Sequence, residues 1–162
     1  MPFKVFLSFS FNPDDIRFVD SLATYGRHYG MELYRADQHS TYGKAVSLKV
    51  TEAIRACDCL VAILTESSVR SPWVNQEIGI AHDNGKLIIP VVENGVKPNG
   101  ILEGREYLAF YPSNHGWTVH RAVSYLAGLK FKKEKRERQN AIGWGIVVLL
   151  GILGIASLSE GR

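Results

Sequence analysis

Short apolar runs alternate along this chain with segments whose apolar residues recur every three or four positions, so strands and helices are expected in turn. Lys4–Phe9 (KVFLSF) is β-branched and aromatic and stops at a Ser-Phe-Asn-Pro-Asp-Asp stretch, which predicts a buried strand and then a helix start. Asn12 suits the capping position and Pro13 the first helical one, Asp14 and Asp15 favour the positive end of the dipole, and Ile16, Val19, Leu22 and Ala23 form an apolar face. Met31–Arg35 reads as a second strand. Val46, Val50, Ala53, Ile54 and Cys57 then fall at helical spacing, predicting a helix over 44–56 after Gly43. Cys59–Thr65 is a continuous apolar run, the mark of a strand covered on both faces. Ser71-Pro72 opens a third helix that Asn84-Gly85 closes. Leu87–Val92 is a fourth strand and Tyr107–Tyr111 a weaker fifth, while Trp117, Val123, Leu126 and Ala127 mark a last amphipathic helix.

Each parallel crossover needs a connecting segment, and a helix is the usual one. The alternation therefore predicts an α/β, flavodoxin-like fold: five parallel strands in the order 2-1-3-4-5 with helices on both faces. In such sheets ligands sit beyond the carboxyl ends of the strands, where the order reverses between strands 1 and 3. The loops near Ser10, Asp37 and Ser67 converge there.

The end of the chain departs from this pattern. Ala141–Leu158 holds eighteen residues without a charge, which at about 1.5 Å per residue nearly spans a hydrocarbon core. A core or oligomerisation helix is the competing reading, but the glycines of the run would weaken a helix in water. The expected organisation is an α/β domain over 1–129, a basic juxtamembrane linker over 130–140, a transmembrane helix over 141–158 and a short tail over 159–162. Basic flanks stay on the cytoplasmic side, so this reading makes the chain a single-pass membrane protein with its α/β domain inside.

At 162 residues, 46% hydrophobic and 22% charged, the chain suits one globular domain with a substantial core. Its net charge of +3 is concentrated in residues 130–138, where six basic and two acidic side chains give +4. The rest is nearly neutral, and no nucleic-acid partner is expected. Cys57 and Cys59 support neither a disulfide framework nor a zinc site; they read as reduced thiols at a helix end and in a core strand. The histidines, at 28, 39, 82, 115 and 120, lie on separate segments, and no metal site is assigned. No Gly-x-Gly-x-x-Gly follows the first strand, so NAD+ carried as a dehydrogenase cofactor is excluded.

The stretch Ser71–Glu77 (SPWVNQE) is the most informative. A helix beginning at Pro72 sets Trp73 and Glu77 four residues apart on one face, with Val74, Ile78 and Ala81 on the neighbouring core stripe. An aromatic plate and a carboxylate beside the crevice suit a cationic ring attached to a sugar. By spacing alone the pair also occurs on many surface helices. The wider context resembles the TIR family: Lys4–Phe9 resembles its first-strand motif, Asp37 through Gly43-Lys44 its loop after strand 2, Thr51–Ile54 through Leu64 its second helix and third strand, and Ser71–Glu77 its Ser-x-Trp-x-x-x-Glu motif. The likeness covers roughly residues 1–129. Departures are Tyr42, where many members have proline before the glycine, and the lack of a Phe-Trp box near the last helix.

The resemblance implies that NAD+ is a consumed substrate, with no cofactor: enzymatic TIR domains hydrolyse or cyclise it and release nicotinamide, and Glu77 is the matching catalytic carboxylate. Phe9 and Ser10 at the end of strand 1, Tyr34 at the end of strand 2, Asp37 and Trp73 are the expected substrate contacts. The family also implies homo-oligomers, in which the loop Asp37–Lys44 contacts a neighbouring TIR domain, and a setting in microbial defence or signalling. Two other readings stand beside this one. The first is a non-catalytic TIR scaffold for homotypic interaction. The second, more distant, is a nucleoside deoxyribosyltransferase-like enzyme, which also uses a glutamate on an N-glycosidic bond.

Overall fold

The structure, a computed structural model, describes residues 1–35 and 46–159, with only the backbone for 46–47 and 143–159. The chain divides into two compact units, Met1–Ala127 and Gly128–Arg162. In the first, the elements in order are β1 (Phe3–Ser8), α1 (Pro13–His28), β2 (Met31–Arg35), α2 (Val46–Ala56), β3 (Cys59–Leu64), α3 (Pro72–Asp83), β4 (Leu87–Glu93), β5 (Leu108–Phe110) and the start of α4 (His115–Ser159). The strands form one parallel sheet in the order β2-β1-β3-β4-β5. This is the flavodoxin-like topology that the alternation predicts.

Burial explains the order. All six residues of β3 are buried, as its unbroken apolar run requires of a strand covered on both faces, and β1 and β4 flank it. One side of the sheet packs Phe6, Leu60, Ala62 and Val92 against Val50 and Ile54 of α2 and Val74, Ile78 and Ala81 of α3. On β1, Val5 and Leu7 alternate with Phe6 and are themselves fully buried, which places them on the side of α1. Phe18 of α1 meets Phe110 there, ring centroids 4.8 Å apart.

The helix starts follow local chemistry. Asn12 accepts the Asp14 N–H at 3.0 Å ahead of Pro13, and Ser71 accepts the Val74 N–H at 3.4 Å ahead of Pro72. Gly30 and Gly85, each just past a helix end, take φ of 69° and 63°, a left-handed turn that a side chain would strain. Ser71 starts the helix that carries Glu77. Ser71→Ala is accordingly expected to lower the unfolding free energy by about 1 kcal/mol, read from the urea midpoint at constant slope; an unmoved midpoint would show that the cap contributes nothing.

Three differences from the sequence reading concern the rims and the end of the chain. The fifth strand is Leu108–Phe110, not 107–111: Tyr107 and Tyr111 are exposed at its ends, and Pro112, lacking an N–H, opens a 3-10 turn. The second helix begins at Val46 among the described residues, while Lys44, Ala45 and the loop Asp37–Gly43 lie outside them. The expected membrane span at Ala141–Leu158, and the single-pass localisation drawn from it, are corrected: among the described residues no helix is long and apolar enough to cross a membrane. Residues 141–158 are no separate element but the continuation of α4. The part of α4 whose side chains are described, 115–142, carries Arg121 and the charged tract 130–138, which no hydrocarbon core would accept.

Candidate active site

The C-terminal ends of β1 and β3 are bound into one platform by the polar residues that follow them. Ser68 donates to the Ile63 carbonyl and accepts the Thr65 N–H, both at 2.6 Å, which closes the turn between β3 and α3. Asp15 accepts from Ser10 at 2.6 Å and from Thr65 at 3.1 Å, and Asn12 donates to Ser67 at 3.1 Å. The loop after β1 is thereby tied to the loop after β3. Asp15 is 1% exposed, and burial raises its pKa against the pull of Ser10 and Thr65.

On the opposite side of β1 lies the second buried carboxylate. Glu77 sits in the second turn of α3, one residue before the core-facing Ile78, and is itself 1% exposed. Ser8 shares the α3 side of β1 with Phe6, and its hydroxyl donates to Glu77 Oε2 at 2.5 Å. The other oxygen, Oε1, is buried and has no hydrogen-bond partner among the described residues. Burial pushes the Glu77 pKa up to about 7, while Ser8 and, less strongly, the Trp73 indole N–H pull it down. Trp73 is half-buried against the α2–α3 core, and its Nε1 falls short of hydrogen-bond geometry with any partner among the described residues. A carboxyl group near pH 7 balanced between its two forms, with one oxygen held by Ser8, is equipped to meet a developing positive charge or a sugar hydroxyl.

The expected site residues therefore separate. Trp73 and Glu77 share a neighbourhood, which Ser8 completes. Phe9 is buried, with the Arg35 guanidinium carbon 5.6 Å from its ring centroid and Phe11 beside it at 6.1 Å. Arg35 also pairs with Asp20 of α1, so Phe9 belongs to the α1 side of the sheet. Ser10 is engaged by Asp15. Tyr34 packs on the α2–α3 core but donates its hydroxyl to Glu32 at 2.9 Å, and Lys4 lies 6.0 Å from its ring. Both partners lie earlier along their strands, away from the carboxyl ends. The bond to Glu32 raises the Tyr34 pKa. Asp37 lies outside the described residues.

Sequence reasoning missed Ser8 and gave Asp15 only a dipole role. The signal for Ser8 was a lone hydroxyl interrupting the apolar run Val5–Phe9 at a position that the strand must bury. Its partner is 69 residues away, beyond any local pattern. Asp15 offered a weaker sign, a carboxylate at the third helical position within reach of a preceding serine.

The sequence matches the family described as TIR domain over residues 5–122, more than half of the chain, so the chain belongs to the TIR domain family. The TIR domain of the Toll-related receptor TRR-2 from Hydra magnipapillata is similar at a TM-score of 0.58 and 14% identity, over 74% of this chain and 97% of that one. A CMP N-glycosidase, BcmB, from Clostridium botulinum follows at 0.56 and 18%, with the same coverage. A 2-desoxiribosyltransferase from Leishmania mexicana is similar at 0.53 and 16%, over 74% of this chain and 98% of that one. At these identities the likeness shows a shared fold. No curated protein sequence matches the chain.

Proposed function

We propose that this TIR domain cleaves the nicotinamide–ribose bond of NAD+, with Glu77 as the catalytic carboxylate and Trp73 as the aromatic contact. The observation that carries the reading is the Glu77 carboxyl group: buried, anchored through one oxygen to Ser8 and, among the described residues, unpartnered at the other, near the carboxyl ends of β1 and β3. Doubly wound sheets place their ligands at those strand ends. Two of the similar folds belong to proteins named for N-glycosidic chemistry, which supports the class of bond.

In this mechanism the C1′–N bond breaks and its electron pair leaves with nicotinamide, which departs neutral and needs no acid. The ribose acquires oxocarbenium character, and the ionised Glu77 stabilises that charge and accepts from a ribose hydroxyl. Attack by water gives ADP-ribose; attack by an atom of the same molecule gives a cyclic isomer. Ionisation is required, so turnover is expected to rise about tenfold between pH 6 and pH 8 around a midpoint near 7. A flat profile across that range would remove Glu77 titration from the rate.

Self-association through the loop Asp37–Lys44 belongs to the same reading, and with it a role in microbial defence or signalling. Specific activity is then expected to climb with protein concentration, since assembly raises the local density of neighbours. The full chain incubated with NAD+ and followed by NMR should release nicotinamide. A folded chain that releases none at any concentration would instead be a TIR scaffold, a reading favoured by the engagement of Phe9, Ser10 and Tyr34 elsewhere. Release of a base from a nucleotide or deoxynucleoside without action on NAD+ would move the substrate class and keep the carboxylate.

A further inference from the structure

Glu77 is held asymmetrically. Its two oxygens share one buried setting, yet among the described residues Oε2 has a hydrogen bond of 2.5 Å from Ser8 and Oε1 has none. An ionised carboxylate accepts at both oxygens, so a buried oxygen without a donor is an incomplete arrangement. Ser8 is itself fully buried at the last position of β1, where it pairs with Ala62 of β3, so its hydroxyl is carried by the backbone of the sheet. Glu77, by contrast, has a flexible side chain with several rotamers to choose among.

From this we infer that Ser8 is the positioning residue of the site: by donating to Oε2 it fixes the Glu77 rotamer and its ionisation, and it presents Oε1 as the oxygen that meets the sugar of the substrate. The inference rests on the proposed N-glycosidic reading for the last of these roles alone; the hydrogen bond and its effect on Glu77 stand without it. A hydroxyl that donates stabilises the carboxylate over the acid, so Ser8 also keeps the group ionised enough to act in a setting that otherwise favours its neutral form. The neighbouring indole of Trp73 does not replace it, because its N–H falls short of hydrogen-bond geometry. Ser8 has no contact of its own with the substrate in this scheme, which separates it from Glu77: its loss should affect kcat and the pH profile more than KM.

The test follows the Glu77 carboxyl carbon by NMR during a pH titration of the 13C-labelled full chain, assigned with Glu77→Gln, for wild type and Ser8→Ala. The expected result is an upward move of the Ser8→Ala midpoint by about one pH unit, the size of one hydrogen bond to a charged group. Nicotinamide release at pH 7 should fall roughly tenfold at similar KM, recovering in part at pH 9. Ser8→Thr, which keeps the hydroxyl and suits a strand, should return the midpoint toward wild type. If Ser8→Ala does not fold, Ser8→Cys, close in shape and a weak donor, reads the same midpoint. A midpoint unchanged in Ser8→Ala or Ser8→Cys overturns the inference, as does a loss confined to KM. If wild type cleaves no NAD+ while the Ser8→Ala titration still moves, the proposed function fails and the Ser8–Glu77 coupling stands.

Discussion

Glu77→Gln is expected to lower nicotinamide release by roughly a hundredfold or more while leaving the fold in place. The substitution keeps the shape of the side chain and an oxygen that can accept from Ser8, so neither a cavity nor a broken hydrogen bond accompanies it. What it removes is the negative charge. A preorganised charge in a site closed to water stabilises a developing cation far better than the same charge in solvent, and losing one such group costs about 3 kcal/mol of barrier, or about a hundredfold in rate. Turnover at matched concentration and pH, with circular dichroism as the control for folding, measures the effect. A well-folded Gln variant with wild-type turnover would take Glu77 out of the chemistry.

The same burial produces an effect on stability that is independent of any substrate. The Glu77 pKa rises from an unfolded value near 4.5 to about 7 in the folded chain, chiefly because burial disfavours the ion. Between those values the folded state binds the extra proton, so stability falls as pH rises. The favourable contribution is complete below pH 4.5, declines through 7 and is gone above it. About 2.5 pH units correspond to roughly 3 kcal/mol. Urea unfolding at pH 5 and pH 8 should show wild type losing nearly that much more stability than Glu77→Gln over the interval. The comparison cancels the contribution of Asp15, whose pKa burial also raises and which both proteins share. Parallel pH profiles would mean that Glu77 is better solvated than its 1% exposure indicates.

The sheet order was legible in the sequence because burial wrote it into composition: only a strand covered on both faces tolerates Cys59–Leu64, and only the crossover geometry reconciles that strand with its neighbours. The helix bearing Glu77 was equally plain, since Ser71 and Pro72 mark its start and Asn84 and Gly85 its end. The environment of Glu77 was not. Helical spacing put it beside Trp73, but the angular position of one residue between a core stripe and solvent depends on how α3 leans on β1, which no local pattern reports. Phe9 and Tyr34 show the same limit in another form. Each closes an apolar run, yet the sheet turns Phe9 to the α1 side, and Glu32 and Lys4 draw Tyr34 back along its strand. The apolar run at 141–158 was read in isolation, whereas the backbone joins it to a helix that begins at His115.

The β3 strand also contains its own chemical clock. Cys57 and Cys59 bracket its beginning, exposed by only 3% and 1%, and burial pushes the Cys57 thiol up to about 11 and Cys59 higher still. The thiolate is the reactive form, so both groups are silent toward alkylating reagents while the strand is in place. Labelling of Cys59 then proceeds only during the moments when β3 parts from β1 and β4, and its rate counts those moments. With Cys59 in the fully buried strand of the sheet, slow labelling of that residue in native buffer reports the opening of the α/β unit, and any ligand that binds the folded form will slow it further in proportion to its occupancy.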